Sequence, residues 1–319
     1  MDKFINKLKK INSIQALSSI NKYGAFYIPN FFTKAEIKVL MGDFEHLEKI
    51  DSRLNSNNSG LVYYNNQLFI SQTLVHSLTV FRFLTDKKIY SIFKSLLGRC
   101  VIKASRFYST YGSGISMWHH DEKNNGYHSR GVICIIYLSD VLNIEDGPFE
   151  FISGSHNFSI NMSDGDFFEN KIRCKYEQDI VSVIGKAGTI LFADSRVIHR
   201  ARPHSKKDCR KSLFIQISKQ TKNMYKEQIL INPQFITNKH LENKELMSYL
   251  GFGYKCEPHI FPPTSMSTLP LNRETVTIFS KWAGKRLSLN LFEKLPIFLK
   301  KYIRNFFGRP LDYDSIKHR

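Results

Sequence analysis

The chain has 319 residues, 42% hydrophobic and 23% charged, so it can bury one sizeable core, and its longest apolar run, Gly131 to Leu138, is far too short to cross a bilayer. Five scattered cysteines without a close pair argue against a cysteine zinc site, and the basic N-terminus lacks the apolar core of a secretory signal, so we expect free thiols in a cytoplasmic protein. The formal net charge of +18 favours anionic partners without identifying one.

The first third of the chain predicts a short strand followed by helices. Gly24 to Pro29 has the pattern of a strand that runs into a turn, and Thr33 to Glu36 has the pattern of a capping box. The apolar residues that follow at helical spacing are Ile37, Leu40, Met41, Phe44 and Leu47. A second helical region is predicted from about Val75 to Leu97, with a break near Thr85 and Gly98 as its stop.

From Val101 onward the pattern changes to short strands separated by turns. The predicted strands are Val101 to Tyr111, Gly131 to Leu138, Phe149 to Ile152, Ile180 to Ile184, Thr189 to Phe192 and Lys211 to Ser218. Together with the segment around His119 they predict a mainly β, barrel-like core with flanking helices. We therefore expect one domain over residues 1–235, followed by a basic and partly helical C-terminal extension over residues 236–319.

The extension is the most basic part of the chain. Between Lys281 and Arg319 there are ten Lys and Arg residues against three acids. Residues 291–307 combine aromatic and basic side chains in a predicted helix, with Pro296 near its start. Such a helix either lies in a membrane interface or packs its apolar stripe on the core. Both readings stay open, so peripheral membrane contact through residues 291–307 is one hypothesis.

One polar segment carries a metal-binding pattern. In Trp118-His119-His120-Asp121, His119 and Asp121 are two residues apart, so on a strand both side chains point to the same face. A histidine and a carboxylate supply two ligands of the 2-His-1-carboxylate triad that holds Fe(II) with open coordination positions. His199, which follows the strand Thr189 to Phe192, is the candidate third ligand.

The last predicted strand carries a pattern suited to a dicarboxylate. Arg210, Ser212, Phe214 and Gln216 alternate, so they share one face. Arginine binds carboxylates through two parallel hydrogen bonds, and a nearby hydroxyl adds a third donor. Arg210 and Ser212 are therefore candidate ligands for the distal carboxylate of 2-oxoglutarate. With the triad, they predict Fe(II) as the cofactor and 2-oxoglutarate and O₂ as co-substrates.

At this level of detail the sequence resembles the phytanoyl-CoA dioxygenase family. The matching segments are Trp118 to Asp121, Gly147 to His156, Ala193 to His199, and Arg210. Order and spacing agree over roughly Gly24 to Ser218, with Ser153 standing where the family usually has proline.

The resemblance implies a double-stranded β-helix, or jelly-roll, with flanking N-terminal helices and a C-terminal helical extension. It implies iron ligation by His119, Asp121 and His199, and co-substrate binding by Arg210 with help from Ser212. It also places Tyr137 where the family often has an aromatic residue beside 2-oxoglutarate.

Four further polar residues have assignments from the pattern alone. Tyr108 and Arg106 alternate on a strand that enters the predicted pocket, and either is a candidate for contact with the co-substrate or the substrate. Ser155 and His156 are assigned to holding a turn.

The predicted activity is hydroxylation of an unactivated C–H bond in a small or lipid-linked, and by charge anionic, metabolite, with release of succinate and CO₂. Related halogenating enzymes replace the carboxylate ligand with a small residue, so the intact Asp121 favours hydroxylation. An AlkB-like nucleic-acid demethylase is an alternative that would use the positive charge. However, that class has a second arginine soon after the first, whereas Arg210 is followed by no arginine through Ser218. A catalytically silent binding protein is the other alternative.

Overall fold

The computed structural model describes residues 13–53, 61–64, 67–71, 73–111, 118–121, 130–158, 169–204, 209–220 and 231–252. The helices are α1 (Ser13–Tyr23), α2 (Lys34–Arg53), α3 (Thr73–His76), α4 (Leu78–Thr85), α5 (Lys87–Leu97), α6 (Glu169–Tyr176), α7 (Asn238–Glu242) and α8 (Lys244–Tyr249). The strands are β1 (Ala25–Ile28), β2 (Leu61–Tyr64), β3 (Gln67–Ser71), β4 (Cys100–Tyr111), β5 (Gly131–Tyr137), β6 (Phe149–Ile152), β7 (Ile180–Val183), β8 (Ile190–Asp194), β9 (His199–Ala201) and β10 (Cys209–Lys219).

The strands form two antiparallel sheets. The major sheet has the order β1-β8-β5-β10-β4-β3-β2, and the minor sheet has the order β7-β6-β9. From β5 onward the chain passes back and forth between the sheets. Strands β5, β8 and β10 belong to the major sheet, whereas β6, β7 and β9 belong to the minor sheet. This arrangement is the jelly-roll that the sequence predicts.

Strand alternation divides the apolar residues into separate cores. On β10, Leu213, Ile215 and Ile217 point outward and pack with the helices, which cover the outer face of the major sheet. The other face of that sheet packs against the minor sheet, and Phe149 and Phe151 of β6 join Tyr137 in this inner core. A third, small cluster under α6 covers the outside of the minor sheet.

The N-terminal predictions are confirmed with small shifts. Thr33 Oγ1 accepts from the Glu36 backbone N–H at 3.3 Å, and the Glu36 carboxylate accepts from the Thr33 backbone N–H, which is the predicted capping box. The second helical region is split at Asp86, whose carboxylate caps α5. Helix α5 ends at Gly98, where φ is +73°.

The described part of the C-terminal region packs onto the helical side of the major sheet. Leu246, Tyr249 and Leu250 are buried in the same core as α4 and α5. The domain boundary near residue 235 stays a prediction, and the helix predicted over residues 291–307 lies outside the described residues. Among the helices that are described, none has the length and apolar character needed to cross a membrane.

Candidate metal centre and co-substrate pocket

His119, Asp121 and His199 lie together at one end of the space between the sheets. Asp121 Oδ1 is 3.5 Å from His119 Nε2 and 3.9 Å from His199 Nε2, and the three ligand atoms all lie within 4.8 Å of one another. The His199 side chain is 6% exposed, whereas that of His119 is 41% exposed. The cluster is therefore anchored in the interior on the His199 side and open to solvent on the His119 side.

Backbone hydrogen bonds hold this cluster together across 80 residues of sequence. His119 and His199 exchange two backbone hydrogen bonds of 2.9 and 2.8 Å, so they form an isolated antiparallel bridge. The Asp121 N–H donates to the Ser195 carbonyl, and the Ser195 hydroxyl accepts from the Gly131 N–H. The segment that carries His119 and Asp121 is thereby fixed against the β8–β9 connection.

The His199 ring is oriented for metal binding. Its Nδ1 donates to the Val197 carbonyl at 2.9 Å, which leaves the Nε2 lone pair directed at Asp121. The Phe149 ring stacks on the imidazole, with centroids 5.2 Å apart. Burial, together with the nearby charge of His119, lowers the pKa of His199 to about 4. The ring is therefore neutral at physiological pH, as a metal ligand requires.

Asp121 is ionised in the same environment. Burial acts to raise its pKa, but the hydrogen bond from His119 and the charges of His199 and Lys103 outweigh burial and hold the pKa well below its usual range. The second oxygen, Oδ2, accepts a hydrogen bond of 3.3 Å from Gln216 Nε2. Sequence reasoning placed Gln216 on the face of Arg210 but did not predict this contact.

Arg210 lies deeper between the sheets and has few partners. The residue is 7% exposed, and its Nη2 donates to Thr110 Oγ1 at 3.3 Å. Its Nη1 is buried and has no hydrogen-bond partner among the described residues. Burial lowers the pKa of the guanidinium, which nevertheless stays charged at neutral pH. A buried charge with an unmet donor is costly unless an anion binds it.

The other candidate residues, Ser212, Tyr137 and Tyr108, lie on adjacent strands of the major sheet. Ser212 pairs with Tyr108 on one side and with Tyr137 on the other. The Tyr137 hydroxyl donates to the Val183 carbonyl at 2.9 Å and accepts from the Phe149 N–H at 3.0 Å, and burial raises its pKa to about 12. Tyr137 therefore links the two sheets and has only acceptor capacity left for a ligand.

Tyr108 is tied to its neighbours on β4 and β10. Its hydroxyl accepts from Arg106 Nη1 at 3.0 Å, and its ring packs edge-on against Phe214, with centroids 5.4 Å apart. Arg106 pairs with Phe214 across the two strands, so it shares the pocket-facing side of the major sheet.

A buried ionic network supports the back of the minor sheet. Glu150, which is 1% exposed, accepts from Arg200 Nε at 2.7 Å and from Arg202 Nη1 at 2.8 Å. The Arg200 guanidinium lies over the Trp118 ring at 4.5 Å. Because Trp118 precedes His119 and Arg200 follows His199, this stack fixes the outer side of both ligand segments.

The Gly-Ser-His segment ties the N-terminal helix to the β8–β9 connection. The Ser155 hydroxyl accepts from the Ile198 N–H at 2.8 Å, and His156 Nε2 bonds to the Asn21 carbonyl at 3.0 Å. Gly24 has φ of +87°, and a Cβ there would approach His156 Nδ1 at 2.9 Å. The assignment of Ser155 and His156 to a structural turn agrees with these contacts.

The donor set fits the metal and co-substrate that the motif implies. Two imidazoles and one carboxylate suit Fe(II) with open positions. The buried guanidinium of Arg210, whose Nη1 has no hydrogen-bond partner among the described residues, suits a carboxylate.

Comparison with known proteins agrees with this geometry. The sequence profile of the phytanoyl-CoA dioxygenase family matches residues 20–212. The chain belongs to this family. It is accordingly a 2-oxoglutarate-dependent oxygenase with a candidate His-Asp-His iron site. No curated protein sequence matches the chain significantly.

Solved structures show the same fold at low sequence identity. HygX from Streptomyces hygroscopicus, crystallised with nickel, 2-oxoglutarate and hygromycin B, has a TM-score of 0.54 and 15% identity, over 67% of this chain and 90% of HygX. AviO1 from Streptomyces viridochromogenes has a TM-score of 0.51 and 17% identity, over 66% and 96% of the two chains. SnoK, a 2-oxoglutarate-dependent carbocyclase from nogalamycin biosynthesis, has a TM-score of 0.53 and 15% identity, over 66% and 85%.

Proposed function

We propose that this family member hydroxylates an unactivated C–H bond of a small or lipid-linked metabolite. The observation that carries the proposal is the complete His-Asp-His triad, together with a buried arginine whose Nη1 has no hydrogen-bond partner among the described residues. Asp121 is present and ionised, so the site has the carboxylate that halogenating relatives lack. Bound iron with 2-oxoglutarate and O₂ would supply the oxidation, with succinate and CO₂ as co-products.

In this proposal each residue has a defined task. His119 and His199 offer Nε2 and Asp121 offers Oδ1 to the metal, and the Val197 carbonyl keeps His199 in the required tautomer. Arg210, with Thr110 alongside and Ser212 two residues further on, binds the distal carboxylate of 2-oxoglutarate.

Side chains shield the inner, His199 side of the site from water. Phe149 covers the inner side of His199, and Tyr137 closes the space between the sheets through its bonds to Val183 and Phe149. An apolar wall of this kind strengthens the interactions between Arg210 and its anion, because water no longer screens them.

The charges of the pocket favour an anionic substrate. Besides Arg210, the pocket-facing side of β4 carries Arg106, and Lys103 lies close enough to Asp121 to lower its pKa. Lys103 stands at a bulge, because Gln216 pairs with Ala104 while Ile217 pairs with Ile102. Among the described residues that face the pocket, Asp121 is the one acid against the cations Arg210, Arg106 and Lys103, and this excess of positive charge supports an anionic substrate.

The alternative functions have less support. On the pocket-facing side of β10, Arg210 is followed by Ser212, Phe214 and Gln216, so the second arginine of the AlkB class has no counterpart there. A silent binding protein would not need a complete triad. We also propose a cytoplasmic location, with membrane contact through residues 291–307 as a separate hypothesis.

A turnover screen tests this function. Purified protein with Fe(II), ascorbate, 2-oxoglutarate and ¹⁸O₂ is incubated with candidate metabolites, each acid paired with its neutral amide or ester. We expect succinate release to rise with an anionic metabolite and its product to gain one ¹⁸O atom. A metabolite that stimulates succinate release but is cyclised, epimerised or desaturated would contradict hydroxylation. Such a result would still agree with a 2-oxoglutarate-dependent oxygenase.

A further inference from the structure

The two oxygens of Asp121 have different surroundings. Oδ1 faces the imidazoles, 3.5 Å from His119 Nε2 and 3.9 Å from His199 Nε2. Oδ2 accepts the hydrogen bond from Gln216 Nε2 at 3.3 Å. One oxygen is thus presented to the metal position, and the other is held by a protein donor.

The position of Gln216 is fixed by the major sheet. It lies near the centre of that sheet, paired with Ile133 on β5 and with Ala104 on β4, and it is 8% exposed. Both neighbours are apolar, so neither offers a side-chain hydrogen-bond partner. A buried amide without a hydrogen-bond partner lowers the stability of the fold. The hydrogen bond from Gln216 to Asp121 is therefore energetically favoured.

We propose that Gln216 is a positioning residue that keeps Asp121 a ligand through Oδ1 alone. The inference rests on the proposed iron-binding role of the triad. A carboxylate binds a metal through one oxygen or through both. An octahedral ion with three single-atom protein ligands keeps two positions for a chelating co-substrate and one for O₂. If Asp121 bound through both oxygens, one of those positions would be lost.

An amide suits this task better than a charged donor. Gln216 donates to Oδ2 without adding positive charge next to the metal, whereas a lysine or arginine would repel the metal ion and compete for the carboxylate. Its side chain is also nearly isosteric with methionine, which allows the hydrogen bond to be removed with little change in volume.

The test compares Gln216→Met with the wild-type protein under anaerobic conditions. Metal affinity is measured by titration with Co(II), and the Co(II) visible absorption reports coordination number because its intensity falls as ligands are added. The affinity for 2-oxoglutarate is measured on the Fe(II) form by the visible charge-transfer absorption. We expect Gln216→Met to bind metal about 10-fold or more weakly, with a weaker Co(II) absorption and weaker 2-oxoglutarate binding.

Gln220→Met is the matched control. Gln220 follows β10 directly and donates to the Cys100 carbonyl and to Ser248 Oγ, both at 3.0 Å, on the helical side of the sheet away from the metal. Gln220→Met should have a lower Tm than the wild type, whereas its affinities for metal and for 2-oxoglutarate should be unchanged. If Gln216→Met does not fold, Gln216→Asn keeps an amide that is one methylene too short to reach Asp121 and should show the same losses.

The outcomes separate the inference from the proposed function. Wild-type metal and co-substrate affinities in Gln216→Met would overturn the inference. Weaker metal binding with an unchanged Co(II) spectrum would indicate general support of the site and would also overturn the single-oxygen role. A wild-type protein that binds neither Co(II) nor Fe(II) would overturn the proposed function itself.

Discussion

Arg210 Nη2 donates to Thr110 Oγ1 at 3.3 Å, and this is the one hydrogen bond that the buried guanidinium makes among the described side chains. Its Nη1 is buried without a hydrogen-bond partner among the described residues, and the guanidinium lies close enough to Tyr137 for each group to affect the pKa of the other. A charge in this position destabilises the ligand-free protein and binds a carboxylate strongly. If Arg210 binds 2-oxoglutarate as proposed, the stability of the fold should depend on the presence of this co-substrate.

The first prediction concerns that connection. Arg210→Met should weaken 2-oxoglutarate binding by about 10- to 100-fold, the range expected for a charge-assisted hydrogen bond. It should also abolish the rise in Tm that 2-oxoglutarate produces on the Co(II)-loaded protein. Without co-substrate, its Tm should equal or exceed that of the wild type, because an unpaired buried charge has been removed. Differential scanning calorimetry with and without 2-oxoglutarate measures both effects.

Lys211→Met is the control for this prediction. Lys211 lies on the opposite face of β10, with Nζ 4.7 Å from the centre of the Phe44 ring. Its replacement should leave the 2-oxoglutarate response unchanged. Equal responses in Arg210→Met and Lys211→Met would contradict the role of Arg210.

The second prediction is a pH dependence of stability. The folded-state pKa of His199 is about 4, below the unfolded value near 6.5, so the unfolded chain binds more protons between these values. His199 should therefore lower the stability of the metal-free protein as pH falls from 6.5 to 4, by on the order of 3 kcal/mol. Urea unfolding across this range should show a shallower dependence in His199→Asn, and an unchanged slope would refute the assignment. The exposed His46→Asn should behave as the wild type.

The third prediction concerns the ionic network behind the ligands. Glu150→Gln should lower the free energy of unfolding by about 3 kcal/mol, because it leaves Arg200 buried without its carboxylate. Metal affinity should fall as well, since Arg200 stacks on Trp118 next to His119. Glu177→Gln, which breaks an exposed 3.7 Å pair with Arg173, should change stability little. Chemical denaturation of the two variants makes the comparison, and similar losses would contradict it.

The fourth prediction uses two glycines in different surroundings. Gly24→Ala should destabilise the fold by about 1–3 kcal/mol, because φ is +87° and the new Cβ would approach Val197 Cγ2 at 2.8 Å. Gly42→Ala lies in α2 with open space around it and should stabilise the fold by about 1 kcal/mol. Thermal melts should move in opposite directions, and shifts of the same sign would contradict the packing described at Gly24.

The sequence predicted most strands of the core, and the close approach of His119, Asp121 and His199, where alternation and motif spacing carry the information; the roles of these residues and of Arg210 stay predictions. Arg210 and Ser212 share a face of β10, as predicted, because a strand has a period of two. Strand β9 was not predicted, because its three residues are too few for a periodic signal and its place depends on pairing with β6. The first helix, α1, is rich in serine and was also not predicted.

The contacts that join distant segments were out of reach of the sequence alone. Gln216 meets Asp121 across 95 residues, and that meeting depends on the order of strands in the sheet and on the bulge beside Lys103. Likewise, the sequence alone could not predict that the Tyr137 hydroxyl joins the two sheets, because this hydrogen bond depends on the position of the Val183 carbonyl on the minor sheet.

The most direct test of the account is iron-dependent turnover of 2-oxoglutarate by the wild type and by Asp121→Ala. With Fe(II), ascorbate and O₂, the wild type should release succinate, slowly without substrate and faster with it. Asp121→Ala should release succinate only at the level of the protein-free control, because the metal loses its carboxylate ligand. Succinate release by Asp121→Ala at the wild-type rate would contradict the assignment of the iron site to His119, Asp121 and His199.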